Sequence, residues 1–260
     1  METRSGTEIP VVSVLDWNAP YSHVLICEHA SNHFPEKFGQ LGISDKVAKS
    51  HIAWDPGAYE VSKRMSAIMK APLVKAEVSR LIYDCNRPPK ATGATPAKSE
   101  IFEIPGNRDL GEIEREERYR EVYLPFSKCI EETIAQAFEL QSIVTIHSFT
   151  PVYEGQKRDV EIGILHDTDT RLADAMLQLA HLHSGLIVRP NEPYGPLDGV
   201  THTLRKHGIA NGVANVMIEI RNDLIETDGQ CDDMAEMICG WFQEALSRVE
   251  NGPGQMGQAV

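Results

Sequence analysis

Short apolar runs recur along the chain, and polar residues crowd at their ends. Aliphatic and β-branched residues with no helical period occupy 23–27 (HVLIC), 73–78 (LVKAEV), 143–147 (IVTIH), 160–165 (VEIGIL), 186–188 (LIV) and 215–220 (NVMIEI). Runs of this length and make-up predict buried strands. Between them apolar residues fall at helical spacing. Residues 57–70 place Val61, Met65 and Ile68 on one face, and 112–139 repeats Val122, Phe126, Ile130 and Ile134 every four residues. Pro125 has no N–H to donate and is expected to kink or divide that helix. Residues 170–182, 199–207 and 231–247 also read as helices. Strand and helix alternate throughout, which predicts an α/β sheet with helices on both faces.

Two stretches escape this rhythm. Residues 88–108 (PPKATGATPAKSEIFEIPGNR) hold four prolines and little periodicity. A loop this long is usually functional or disordered, and because it follows a polar cluster it is expected to be a lid. The tail from 251 (NGPGQMGQAV) is expected to fray.

The polar strand ends carry the candidate chemistry. "VLICEHASNHF" (24–34) stops on Glu28, His29, Ser31, Asn32 and His33. "SRLIYDCNRPP" (79–89) brings Arg80, Asp84, Asn86 and Arg87, "IVTIHSF" (143–149) ends on His147 and Ser148, and "NVMIEIRND" (215–223) runs through Glu219 into Arg221. Polar groups at the end of a buried strand are costly unless they line a cleft, and in open α/β sheets that edge is where ligands bind. Two histidines, a glutamate and paired arginines suit metal-assisted hydrolysis. Zinc takes neutral imidazole and carboxylate and keeps a position open for water, whose proton an adjacent carboxylate can carry to a leaving amine. Arginine offers a fork for a substrate carboxylate.

Composition narrows the partners. A length of 260 residues allows one large α/β domain or two small ones, and 42% hydrophobic and 24% charged residues are ordinary for a globular protein. The net charge of −13 argues against nucleic acid and anionic membrane surfaces. An anionic substrate would need local arginines to overcome that field. Cys27, Cys85, Cys129, Cys231 and Cys239 form an odd, scattered set without metal or disulfide spacing, so reduced thiols in a cytoplasmic protein are expected. Residues 1–10 lack the apolar region of a signal peptide, and no run approaches a membrane span.

The successive motifs "CEHASNHFP", "HIAWDPGA", "SRLIYDCNR", "TIHSF", "NEPYG" and "IEIRNDL" resemble, in order, those of the N-formylglutamate amidohydrolase family over about residues 24–225. More distantly, "DCNR", "IHSF" and "EIR" are similar to motifs of zinc carboxypeptidases and aspartoacylase-like deacylases. The resemblance implies a single α/β domain over 1–260, with a mixed sheet of the phosphorylase/hydrolase type, and hydrolysis of a small anionic N-acyl amino acid. It implies His29 and His147 as metal ligands, Glu219 as the catalytic carboxylate and Arg87 as a catalytic or carboxylate-gripping residue. The carboxypeptidase pattern has a glutamate where this chain has Asn32, so Asp55 is the expected third ligand, with Glu28 behind it. The expected cofactor is zinc, although another divalent ion would suit the same donors.

Each residue also has a plainer reading. Asp55 followed by Pro56 could simply cap a helix. Glu219 could be a buried salt-bridge partner of Arg80, Arg87 or Arg221, and Arg87 could pair with Asp84. His51 reads as a support behind the ligands, and His202 as a weaker pocket residue. Arg80, Arg87, Asn86, Asn191, Tyr194 and Arg221 are the expected substrate-binding set, with turn formation the alternative for Asn191. The expected function is removal of an N-formyl or other small N-acyl group from an acidic amino acid. The alternatives are a broader zinc deacylase or peptidase and a metal-free carboxylate-binding protein on the same scaffold.

Overall fold

The longest apolar runs become the two eight-residue strands at the centre of the fold, in a computed structural model that describes residues 9–15 and 19–251. In chain order the strands are β1 (Val12–Leu15), β2 (His23–Cys27), β3 (Leu73–Ala76), β4 (Lys98–Ser99), β5 (Phe102–Glu103), β6 (Ser142–Phe149), β7 (Val152–Tyr153), β8 (Gln156–Lys157), β9 (Ile162–Leu165), β10 (Val188–Pro190) and β11 (Ala214–Arg221). The helices are α1 (Asp45–Ala48), α2 (Ala58–Met69), α3 (Pro105–Arg108), α4 (Glu112–Arg118), α5 (Leu124–Ala135), α6 (Arg171–His183) and α7 (Asp228–Asn251).

Seven strands form one mixed sheet in the order β1-β3-β2-β6-β11-β9-β10. The inner run β3-β2-β6-β11 is parallel, β1 pairs antiparallel with β3, and β9 runs antiparallel to β11. All eight residues of β6 are buried, as a central strand covered on both faces requires. Leu25, Val144, Ile146, Val216 and Ile218 face a core shared with α2, α6 and α7. Val24, Ile26, Val74 and Ile143 face the other layer, where α5 and the segments around Ile52, Leu81 and Ile104 pack. The α/β class with helices on both faces is therefore as the sequence predicts.

Boundaries differ where local chemistry intervenes. Pro125 does divide the 112–139 helix: α4 passes through a widened π turn at Tyr119–Tyr123 into α5, whose first turn holds the proline. Pro125 cannot donate to the carbonyl four residues back, and the wider turn absorbs the lost bond. The expected helix at 199–207 is a π turn over Leu204–Gly208. Strand β1 is not among the predicted runs, although Val11–Leu15 is apolar except for Ser13; it forms the edge of the sheet beside β3. Residues 88–108 carry the β4–β5 hairpin and α3, with Ala94, Ile104 and Asn107 buried, so the stretch is packed and structured. Of the expected frayed tail, Asn251 ends α7 and 252–260 lie outside the described residues. All five cysteines are unpaired. Among the described residues no helix is long and apolar enough to cross a membrane.

Two glycines let the chain come close enough to build the site. A Cβ at Gly163 in β9 would lie 1.9 Å from the carbonyl oxygen of Glu192, so only glycine admits the 191–195 loop against the sheet. Gly57, at φ +81, turns the chain from the Asp55–Pro56 loop into α2, and a Cβ there would meet the Ile225 carbonyl at 2.5 Å.

Candidate active site

Because β2, β6 and β11 are neighbours, the polar residues at their ends converge. His29 follows β2 by two residues, His147 sits near the end of β6, and Glu219 lies directly opposite His147 in the parallel register of β11. The loop before α2 brings Asp55, whose backbone N–H donates to the His29 carbonyl at 3.0 Å. Gly57, rather than Asp55, occupies the cap position of α2, and the Asp55 carboxylate turns to the histidines.

His29, Asp55 and His147 form a buried triangle. His29 Nδ1 and Asp55 Oδ2 are 3.2 Å apart, His147 Nδ1 and Asp55 Oδ2 are 2.9 Å apart, and the two Nδ1 atoms face each other at 3.1 Å. Ligands bound to tetrahedral zinc at 2.0–2.1 Å lie about 3.3 Å from one another, so the spacing fits three ligands on one divalent ion. The far nitrogens face carboxylates. His29 Nε2 is 2.8 Å from Asp84 Oδ1, and His147 Nε2 is 3.1 Å from Glu28 Oε2 without the alignment of a hydrogen bond. With a carboxylate facing each Nε2, the Nδ1 atoms are the ones turned toward a shared cation.

Charge leads to the same point. Glu28, Asp55, Asp84 and Glu219 are all buried, and the cationic side chains lining the cavity are Arg80 and Arg87. Acidic groups thus outnumber the guanidiniums around the triangle, an excess that a bound cation would offset. The imidazoles respond to the same field. Burial and Arg80 depress His29, but Asp84 and Asp55 outweigh them and raise it. Burial likewise opposes protonation of His147, and Glu28 with Asp55 carries it well above its ordinary value. Burial disfavours the charged form of Asp55, yet His29, His147 and Arg80 hold it low.

All of these groups but Glu28 line a cavity of about 300 Å³ together with His51, Glu100, Ser148, Phe149, Tyr153 and Tyr194. Glu219 is the exception among the carboxylates. Burial is the largest influence on it and, reinforced by Asp55 against His147, raises its carboxyl to about 7. Among the described residues its Oε2 has no hydrogen-bond partner. Arg80 donates to Asp55 Oδ1 at 3.2 Å and Asp84 Oδ2 at 2.9 Å. Arg87 approaches Asp84 Oδ2 at 3.6 Å and donates to the Asp198 carbonyl.

The sequence model of the N-formylglutamate amidohydrolase family matches residues 21–226. The chain belongs to that family. It is a hydrolase of the N-formylglutamate amidohydrolase type. A solved gene product of Agrobacterium tumefaciens is 52% identical, with a TM-score of 0.90 over 94% of this chain and 97% of that one. The N-formylglutamate amidohydrolase of Ralstonia eutropha shares the fold at 17% identity, with a TM-score of 0.65 over 94% of this chain and 98% of that one. No curated protein matches the chain in sequence.

The family motifs do not all reach the cavity. Arg221 leaves the expected substrate set: its guanidinium is held by Asp223 at 2.8 Å and Glu161 at 3.2 Å, away from the cavity lining. As β11 ends, the side chain after Ile220 emerges at the edge shared with the 158–161 segment, where acidic partners wait. Asn191 also leaves it. At φ +49, its amide serves the turn by accepting from the His166 backbone N–H at 2.9 Å. Asn86 lines the cavity, but its amide is taken up by the Val200 carbonyl and the Thr203 N–H, clipping that loop in place. His51 pairs with Glu100 at 2.9 Å on the wall and does not stand behind the triangle. His202 bonds the Tyr123 hydroxyl at 2.7 Å and lies outside the cavity. Asn32, the departure from the carboxypeptidase pattern, donates to the Ala48 carbonyl at the end of α1. Glu28 faces the far side of His147 and is not in the triangle. The pairing of Asp84 with His29 is not evident from the sequence; its one signal is a carboxylate four residues from Arg80 in a polar strand end.

Proposed function

We propose that the chain is a metal-dependent amidohydrolase that removes a formyl or other small acyl group from the nitrogen of an acidic amino acid such as N-formylglutamate. The observation that carries this reading is the His29–Asp55–His147 triangle with Glu219 beside it and two arginines in the same cavity. His29, Asp55 and His147 would hold the ion, zinc being the expected one. Such an ion supplies Lewis acidity, polarising the acyl carbonyl and acidifying water.

The remaining work falls to side chains. Glu219, raised to about 7 by burial, takes a proton from the attacking water and delivers it to the leaving amine as the carbon–nitrogen bond breaks and a carbon–oxygen bond forms. The products are the free amino acid and the acid of the acyl group. Arg87 and the free edge of Arg80 bind the substrate carboxylates, and Arg80 also ties the ligand Asp55 to Asp84. Asp84 and Glu28 orient the two imidazoles.

The test is an assay of zinc-supplemented protein on N-formylglutamate, N-acetylglutamate, N-formylleucine and a short peptide. Turnover concentrated on the N-acyl glutamates, lost to a chelator and restored by zinc, is expected. Turnover of all four would make the chain a broader deacylase, and turnover of none would end the hydrolase reading.

A further inference from the structure

Behind the cavity wall stands a cation that the chemistry above does not use. Arg158 follows the β7–β8 hairpin and lies within 4.5 Å of the Tyr153 ring centroid, 4.9 Å of Tyr194 and 5.7 Å of Phe149. All three rings line the cavity, whereas Arg158 itself does not. Among the described residues no carboxylate pairs with it. Its hydrogen bonds go to the Thr150 carbonyl at 3.3 Å and to the Tyr194 hydroxyl oxygen at 3.0 Å. A half-buried arginine held by three aromatic faces, with no acid to neutralise it, is fixed in direction by its surroundings.

The consequence lies in donor and acceptor roles. A guanidinium has only donors, so the Tyr194 oxygen accepts from Arg158 and cannot at the same time turn its own proton toward it. Among the described residues no acceptor takes that proton. Because Tyr194 lines the cavity, that proton is available to a bound ligand as a donor, polarised by the cation behind it. Burial, the largest influence on it, keeps the phenol protonated even with Arg158 opposing.

Resting on the reading of the cavity as a site for acidic N-acyl amino acids, we propose that Arg158 is a positioning residue. It fixes the Tyr194 hydroxyl as a hydrogen-bond donor to a carboxylate of the substrate. Tyr194 and Arg158 would then determine specificity for acidic substrates, a role separate from the ion pairs that Arg80 makes with the ligand set. Gly163 contributes by admitting the 191–195 loop that delivers Tyr194.

The test is a double-mutant cycle on the zinc-supplemented full chain, with Tyr194→Phe, Arg158→Met and both together. Glutarate, a plain dicarboxylate, is the calorimetric probe, so the result does not require turnover. Tyr194→Phe keeps the ring and Arg158→Met keeps the packing between rings, and thermal melting verifies folding of each. Loss of a hydrogen bond to a charged group is expected to weaken glutarate binding about tenfold to a hundredfold in each single variant. The double variant should bind no worse than the weaker single one, because both remove the same interaction. Arg158→Lys, which keeps a donor, should recover part of the affinity. Unchanged binding in Tyr194→Phe, or additive losses in the double variant, would overturn the proposal. Kinetics on the same variants identify the carboxylate read. A raised KM for N-formylglutamate but not for N-formylnorvaline assigns the side-chain carboxylate, and a raised KM for both but not for N-formylglutamate α-amide assigns the α-carboxylate. An equal fall in kcat on every substrate, with KM unchanged, would instead place the hydroxyl on the reacting carbonyl and overturn the proposal. If wild-type protein binds glutarate but hydrolyses nothing, the hydrolase reading fails while the cycle still decides the role of Arg158.

Discussion

Glu219 and His147 occupy paired positions on adjacent parallel strands, with their side chains on the same face of the sheet. That register puts a carboxylate raised by burial beside a histidine of the buried triangle, on a rigid part of the fold. Glu219→Gln preserves the shape while removing the proton acceptor. It is expected to lower kcat about 10²–10⁴-fold with metal content unchanged. Equal activity in the variant would remove Glu219 from the mechanism.

Asp84 should act through His29. Its Oδ1 lies 2.8 Å from His29 Nε2, and it also anchors Arg80. Asp84→Asn is expected to weaken zinc affinity about 10–100-fold. Competition with a chromophoric chelator measures this, and an unchanged affinity would separate Asp84 from the metal site.

Much of this arrangement is legible in the sequence, for a physical reason. A polar residue at the end of a continuous apolar run has few low-energy places to go, so the strand ends mark a set that includes His29, His147 and Glu219, and the family resemblance gives those three their expected roles. Residues that act one step further back are harder to see. Whether Asp84 and Glu28 meet the rings of His29 and His147 depends on which way each imidazole turns, and no spacing encodes that. Arg221 misleads for a similar reason: it shares a strand with Glu219, but its position at the strand's end lets Glu161 and Asp223 capture it. Asn191 is decided by backbone conformation, since a positive φ commits it to the turn. The Arg158 cage joins the end of β6, the β7–β8 hairpin and the 191–195 loop and is invisible to local pattern.

Gly163 should be intolerant of any side chain. The nearest atom to an added Cβ is the Glu192 backbone oxygen at 1.9 Å, which cannot swing aside as a side chain would. Gly163→Ala is expected to cost about 1–3 kcal/mol in denaturant unfolding. It should also raise KM for acidic substrates by displacing Tyr194. A variant as stable and active as wild type would show that the loop adapts freely.

Acid should weaken the fold through His207. Burial, aided by Lys206, lowers this buried imidazole from an ordinary 6.5 to about 4. The folded pKa is thus below the unfolded one, so between those values the unfolded chain holds the extra proton. Stability is therefore expected to fall as pH drops from 6.5 toward 4, by on the order of 3 kcal/mol for this group. His207→Gln should flatten that part of the stability curve. The same slope in both proteins would assign the acid sensitivity elsewhere.

The metal content of protein purified without chelator tests the central claim most directly, measured for wild type, His29→Ala and His147→Ala side by side. About one divalent ion per wild-type chain, with zinc predominant and lost from both variants, is the expected result. A wild-type chain that carries no metal and takes up none when zinc is added would contradict a metal-dependent hydrolase.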